Sequence, residues 1–241
     1  VSIRTRIIPI PDVERAKMND KEMMSYNEVY EDVCRYFSFF AFTDEQNEDI
    51  NKKMTDLFYR IINDKCSVEE FCDGLFRLLE HIHDISLNIP QTVLKRWYTD
   101  VLSGKPLEGE ERRTKESPLE MEIFLISSHL VTVVLKSKPK LAKSPVFYQF
   151  VRKVILDPRF ERGREGFILQ LLPKVKTSEG IDFIPFLKDK DYAGVTITAL
   201  LKLKDGRFVK EAERILEIDP QNWYKRQIKT YIERYKGTGE N

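Results

Sequence analysis

Cysteine is scarce in this sequence, three residues in 241, and Cys34, Cys66 and Cys72 form no even set. A disulfide-stapled scaffold is thereby excluded, and a reducing, intracellular compartment is expected. Glycine (10) and proline (11) are also few, and long stretches hold neither. That shortage argues against a sandwich or barrel, which needs turn residues every 8–12 positions. Histidine occurs only at positions 81, 83 and 129. His81 and His83 are two apart, so on a helix they point away from each other and cannot share a metal as i and i+4 would. His129 stands in an apolar segment and reads as a hydrogen-bonded core residue. No apolar run is long enough to span a bilayer, since Met121–Leu135 is short and carries Glu122 and His129. The first residues, VSIRTRIIPIPDVERAK, place charges and prolines where a secretion signal needs an apolar centre.

Chemistry-bearing motifs are equally thin. Cys66 and Cys72 have no second pair to complete a zinc site. Asp12-Val13-Glu14 matches the D-x-E form of two-metal nucleases, yet neither the sheet nor the further carboxylates that chemistry needs are present. GREG at 163–166 lacks the lysine and hydroxyl of a phosphate loop. Catalytic, cofactor-binding and metal-ligating residues are therefore not assigned, and no cofactor or small-molecule substrate is expected. The absence of an initiator Met and the final KGTGEN suggest a region excised from a longer protein.

Helical signals are abundant. Leu, Ile, Lys and Glu dominate, and apolar residues recur at 3.6 spacing. Residues 1–20 show no clean period and carry Pro9 and Pro11, so they read as an irregular arm. A first helix is expected from about Tyr26 to Phe42. Thr43 with Gln46 and Ser67 with Glu70 are capping-box pairs that start the second and third helices. The third carries the best stripe: Val68, Phe71, Cys72, Leu75, Leu78, Leu79 and Ile82. Pro90 opens a fourth. The charged stretch SGKPLEGEERRTKESP, 103–118, interrupts the pattern as a linker.

Ser117-Pro118-Leu119-Glu120 restarts a helix that is apolar on most sides and must lie between neighbours. Ser144-Pro145 starts another, ending at Asp157-Pro158. Shorter helices follow within 162–175 and 178–189. Tyr192 to Leu203 reads as a helix with a threonine pair that would also suit a strand, and Gly206 is expected in the left-handed closing position. Two more helices follow, the last beginning at Asp219-Pro220. The expectation is an all-α protein of about ten or eleven helices joined by short turns. No fixed period repeats, so an irregular α-solenoid, a helical-repeat-like array, is expected. Its organisation divides into the arm 1–20, an acidic helical subdomain 21–102, a linker 103–117, a second helical subdomain 118–236 and a disordered tail 237–241.

Charge is distributed unevenly. Residues 1–135 carry 17 Lys/Arg against 25 Asp/Glu, whereas residues 136–176 carry 11 against 3. Lys136, Lys138, Lys140, Lys143, Arg152, Lys153, Arg159, Arg162 and Arg164 form the candidate nucleic-acid contact set, with Lys174 and Lys176 further along. Phe147, Tyr148, Phe160 and Phe167 are interleaved. A charged groove with aromatic platforms can hold single-stranded RNA without reading its sequence. The same lysines can equally solvate a loop while the aromatics pack inside, or can be covered by the acidic half. Trp223, Tyr224, Tyr231 and Tyr235, near the free end of the array, form the candidate protein-interface set, because Trp and Tyr are common interface anchors; packing against the preceding helix is the alternative for at least half of them. The primary reading is a non-catalytic scaffold or docking domain with protein partners. A single-stranded RNA-binding accessory domain is the alternative.

Two stretches, LISSHLVTVVLKSKPKLAKSPVF (125–147) and LLKLKDGRFVKEAERILEI (200–218), carry a resemblance. They share a helix that ends before a Ser-Pro restart, and a Gly-Arg-Phe turn followed by Glu211-Ala212. In these features the chain resembles, over residues 119–220, the helical region preceding the nuclease domain of Mutator-type 3′–5′ exonucleases, members of the DEDD superfamily in small-RNA silencing. The resemblance implies an accessory region whose enzyme lies downstream. The family's catalytic carboxylates have no counterpart here, so no catalytic residue carries over.

Overall fold

The computed structural model describes residues 20–36, 43–88, 125–160, 163–190, 192–218 and 224–236. The linker 103–117, the helix expected from Pro90, the tail 237–241, Asp12 and Glu14, Arg162 and Trp223 lie outside the described residues. Every regular element among the described residues is helical, and no strand occurs among them. The segment 192–203, which had a strand alternative, is a helix.

Three helices form the first layer: α1 (Asp20–Tyr36), α2 (Asp44–Ile62) and α3 (Val68–Leu87). Helix α1 starts ahead of the expected Tyr26. Its opening turns, DKEMMS, are good helix formers but mostly polar, so they gave no apolar period to read. Both capping boxes are present. Thr43 Oγ1 accepts from the Gln46 amide while Gln46 Oε1 accepts from the Thr43 amide, and Ser67 and Glu70 do the same at 3.1 and 2.8 Å. These reciprocal bonds satisfy amides that the helix itself leaves open. The α3 stripe is buried as expected, with Phe71, Leu75, Leu79 and Ile82 wholly inaccessible. Each such side chain contributes roughly 1.5–3 kcal/mol of burial.

The next helix, α4, spans 125–137 and contains a π turn at Leu130–Val134, where the Leu135 amide bonds to the Leu130 carbonyl. Four β-branched residues in a row, Val131, Thr132, Val133 and Val134, crowd an α-turn, and Thr132 Oγ1 donates to the Ser128 carbonyl at 2.8 Å. A 3-10 turn, Pro139–Lys143, then leads to α5 (Pro145–Leu156), capped by Ser144 with Pro145 in its first turn. Helix α6 (164–175) holds a second π turn, Phe167–Leu171. Pro173 lies just beyond it. A proline ring collides with the carbonyl four residues back, and the widened turn relieves that crowding.

Four helices complete the described chain: α7 (Ile184–Lys188), α8 (Ala193–Leu203), α9 (Val209–Ile218) and α10 (Lys225–Tyr235). Here α7 packs on α8 and α9, and α10 packs on α8 and α9. The left-handed residue closing α8 is Lys204, at φ 61°, and not Gly206. The Asp205 amide bonds back to the Leu200 carbonyl at 3.0 Å, so the closing turn ends one residue before the glycine. Gly206 is needed for space instead, since a Cβ there would lie 2.9 Å from the Tyr235 ring. One continuous core runs from Val29 to Tyr231, with α3 packed on α5. Residues on either side of the 103–117 segment therefore share an interior.

Candidate functional site

The two π-containing helices and the 3-10 turn between α4 and α5 enclose a surface groove of about 890 Å³. Val131 and Leu135 from α4, Pro139 and Ala142 from the 3-10 turn, and Val175 from α6 make its apolar floor. Lys136, Lys143, Lys174 and Lys176 stand around it, and among the described residues no carboxylate lines it. A hydrogen-bonded pair, Ser128 Oγ and Gln170, at 3.0–3.1 Å, ties α4 to α6. Leu141, buried beneath the 3-10 turn, anchors the third wall. All four lysines lack an ion-pair partner among the described residues. Lys136 and Lys174 sit in last helical turns, where the macrodipole favours a cation. That preference explains a lysine at each position. It does not explain why four of them meet around one apolar surface.

Other members of the basic segment are occupied elsewhere. Lys138 Nζ donates to the Ile61 carbonyl at 2.9 Å and pairs with Asp64. Arg152 Nε donates to the Gly180 carbonyl at 3.1 Å. Lys153 Nζ lies 3.5 Å from the Phe76 ring centroid. Arg159 bridges Glu80 and Asp157, both at 2.8 Å. Arg164 Nη1 donates to the Ile155 carbonyl at 3.1 Å and its guanidinium covers the Phe186 ring. Of the nine candidate cations, Lys136 and Lys143 line the groove, and Lys140 is exposed outside it. Phe147, Tyr148, Phe160 and Phe167 are buried, with Phe150 and Phe167 packed edge to face. Among the described residues, no aromatic ring on which a base could stack lines the groove.

Two groove lysines, Lys174 and Lys176, were absent from the candidate set. Sequence shows them only as cations at a helix end, about thirty positions from Lys143. Their convergence depends on the packing of α6 against α4, which neither segment encodes alone.

Among the described members of the tyrosine set, Tyr224 and Tyr231 are buried and Tyr235 is partly buried, as the packing alternative expects. Tyr224 is buried, its hydroxyl donates to the Lys190 carbonyl at 2.8 Å, and its ring lies against Gly194. Tyr231 is wholly inaccessible. Its hydroxyl donates to the Asp205 carbonyl at 2.6 Å and accepts from the Phe208 amide at 3.2 Å. Burial pushes its phenol up to about 12. The Tyr235 ring meets that of Tyr231 edge to face at 5.1 Å. A phenol lets a ring enter the core while its oxygen satisfies backbone groups, as Tyr224 and Tyr231 do.

Reactive chemistry finds little support among the described residues. All three cysteines are free thiols. Burial raises each, and Cys72 is pushed up to about 12, opposite to the direction that activates a nucleophile. His129 Nδ1 lies 2.8 Å from the Leu125 carbonyl in the interior. Among the described residues no group of three or more His, Cys, Asp or Glu could hold a metal, and no helix is long and apolar enough to cross a membrane. No protein-family model, curated protein or solved structure matches the chain.

Proposed function

We propose that this chain is a non-catalytic docking domain, an irregular array of stacked helices that presents the lysine-rimmed groove to a protein partner. One observation carries the reading: four lysines without carboxylate partners surround an apolar floor. An acidic partner with apolar side chains would complement both the lysines and the floor. The packing of α7 on α8 and α9, and of α10 on α8 and α9, supports the hairpin-stack description of the array. Such a support loses little conformational freedom on binding. The setting, an accessory region beside an enzyme of small-RNA silencing, rests on the resemblance of residues 119–220 alone.

RNA binding is the second reading, favoured by the basic segment. It is weakened by the burial of the interleaved aromatics, which removes the stacking platforms it needs. Fluorescence anisotropy compares the two. Single-stranded RNA and a leucine-and-glutamate-rich peptide of equal net charge are each titrated with the whole chain. The docking reading expects the peptide to bind at least about tenfold more tightly, a gap of about 1.4 kcal/mol. Equal or tighter RNA binding would overturn it.

A further inference from the structure

The groove is described by three properties that together restrict its occupant. Its four lysines and Pro139 are exposed at the surface, so a segment of a larger partner can reach it. The walls are helical and 3-10 residues, and Pro139 has no amide hydrogen. An extended peptide gains its affinity from a row of free backbone donors and acceptors, and this lining supplies no strand edge. A helix brings its own backbone hydrogen bonds already made. Finally, the floor is apolar and every wall contributes a cation to the rim: Lys136 from α4, Lys143 from the 3-10 turn, and Lys174 and Lys176 from the end of α6.

These features match one kind of surface: an apolar stripe flanked on both sides by carboxylates. We propose that the groove is the seat of an acidic amphipathic helix of the partner. Its apolar side chains at i, i+3 or i+4, and i+7 enter the floor, and glutamates or aspartates on either flank meet the four lysines. This inference rests on the docking-domain reading and narrows it from an acidic partner to a periodic one. Each part of the pair does different work. The apolar stripe supplies the contact area, while the lysines set orientation and speed encounter. Screening at high salt weakens the second contribution and leaves the first.

The test uses two fluorescein-labelled peptides of identical composition, rich in leucine and glutamate. One places leucine on a single helical face, and the other scrambles the order so that no face forms. Each is titrated with the whole chain by anisotropy at low and at moderate salt. The faced peptide is expected to bind at least about tenfold more tightly, to gain helical dichroism on binding, and to lose most affinity in a Lys143→Glu/Lys174→Glu variant. A Lys143→Gln/Lys174→Gln variant guards against misfolding of the reversed protein, and there a loss of about three- to tenfold is expected. Equal binding of both peptides would overturn the helical occupant and leave the docking reading standing. Failure of both peptides to bind, or binding of single-stranded RNA more tightly than either, would overturn both.

Discussion

Lys138 Nζ reaches from the end of α4 to the carbonyl oxygen of Ile61 in the last turn of α2, 2.9 Å away. Its second partner is Asp64, which closes that turn in a left-handed conformation at φ 57°. One ammonium thus satisfies a helix-end carbonyl in the acidic layer from a position in the basic segment. Lys138→Ala is expected to lower stability by about 1–2 kcal/mol, as for a partly exposed hydrogen bond to a charged group. Urea unfolding checks it. An unchanged midpoint would mean that the two layers do not depend on this tie.

Gly194 and Tyr224 make a tighter claim on packing. A Cβ at Gly194 would come within 2.8 Å of Tyr224 Cε1 and nearer still to the rest of the ring edge. That ring is buried and pinned by its hydroxyl to the Lys190 carbonyl, so it cannot swing away. Alanine usually gains about 1 kcal/mol over glycine inside a helix. Here overpacking of about 1–3 kcal/mol works against that gain, and Gly194→Ala is expected to be net destabilising. A rise in melting temperature would show that α8 and α10 have slack between them.

These two contacts also mark how far the sequence could be read. Helix starts were legible because they are local: Thr43-Gln46, Ser67-Glu70 and Ser144-Pro145 each decide a start within four residues. The α3 stripe was legible for the same reason. The early start of α1 was hidden by polar residues, and the closure of α8 at Lys204 was hidden because a lysine occupied the position a glycine would advertise. The groove was half legible. Lys136 and Lys143 lie together in sequence, but Lys174 and Lys176 join them only through the packing of α6 and α4. The tyrosines stayed open between interface and packing in the sequence, because a run of aromatics near a terminus looks alike whether the last helix is covered or bare.

Acid stability has a specific source in the turn between α8 and α9. Burial acts to raise the Asp205 carboxyl, but hydrogen bonds from Arg207 and Ser178 outweigh it and hold it below the usual carboxylate range. Asp157 is likewise held low, chiefly by hydrogen bonding to Arg159. A carboxyl lowered by folding stabilises the native state fully above its unfolded value of about 3.9, and that contribution disappears as pH falls through the lower folded value. Stability is therefore expected to fall below about pH 4, and Asp205→Asn to flatten that fall while lowering stability at pH 7. Thermal melts between pH 2 and 7 read both effects. A variant that keeps the full acid slope would show that Asp205 contributes nothing to it.

Lys176 offers the sharpest separation of fold from function. It closes α6 at φ 58°, a left-handed position that costs a side-chain-bearing residue about 1 kcal/mol relative to glycine, and its side chain lines the groove. Glycine would relieve the strain and loosen the unfolded chain, so Lys176→Gly is expected to leave stability unchanged or raise it by up to about 1 kcal/mol. It is also expected to weaken the acidic peptide about two- to threefold, because one of four rim cations is gone. Lys204→Gly is the matched control: it has the same left-handed geometry at φ 61° and lies outside the groove lining. It should shift stability in the same way and leave peptide affinity alone. Equal affinity for both variants and the parent chain would show that Lys176 serves only to end its helix, and the groove would lose one of its four cations as a binding element.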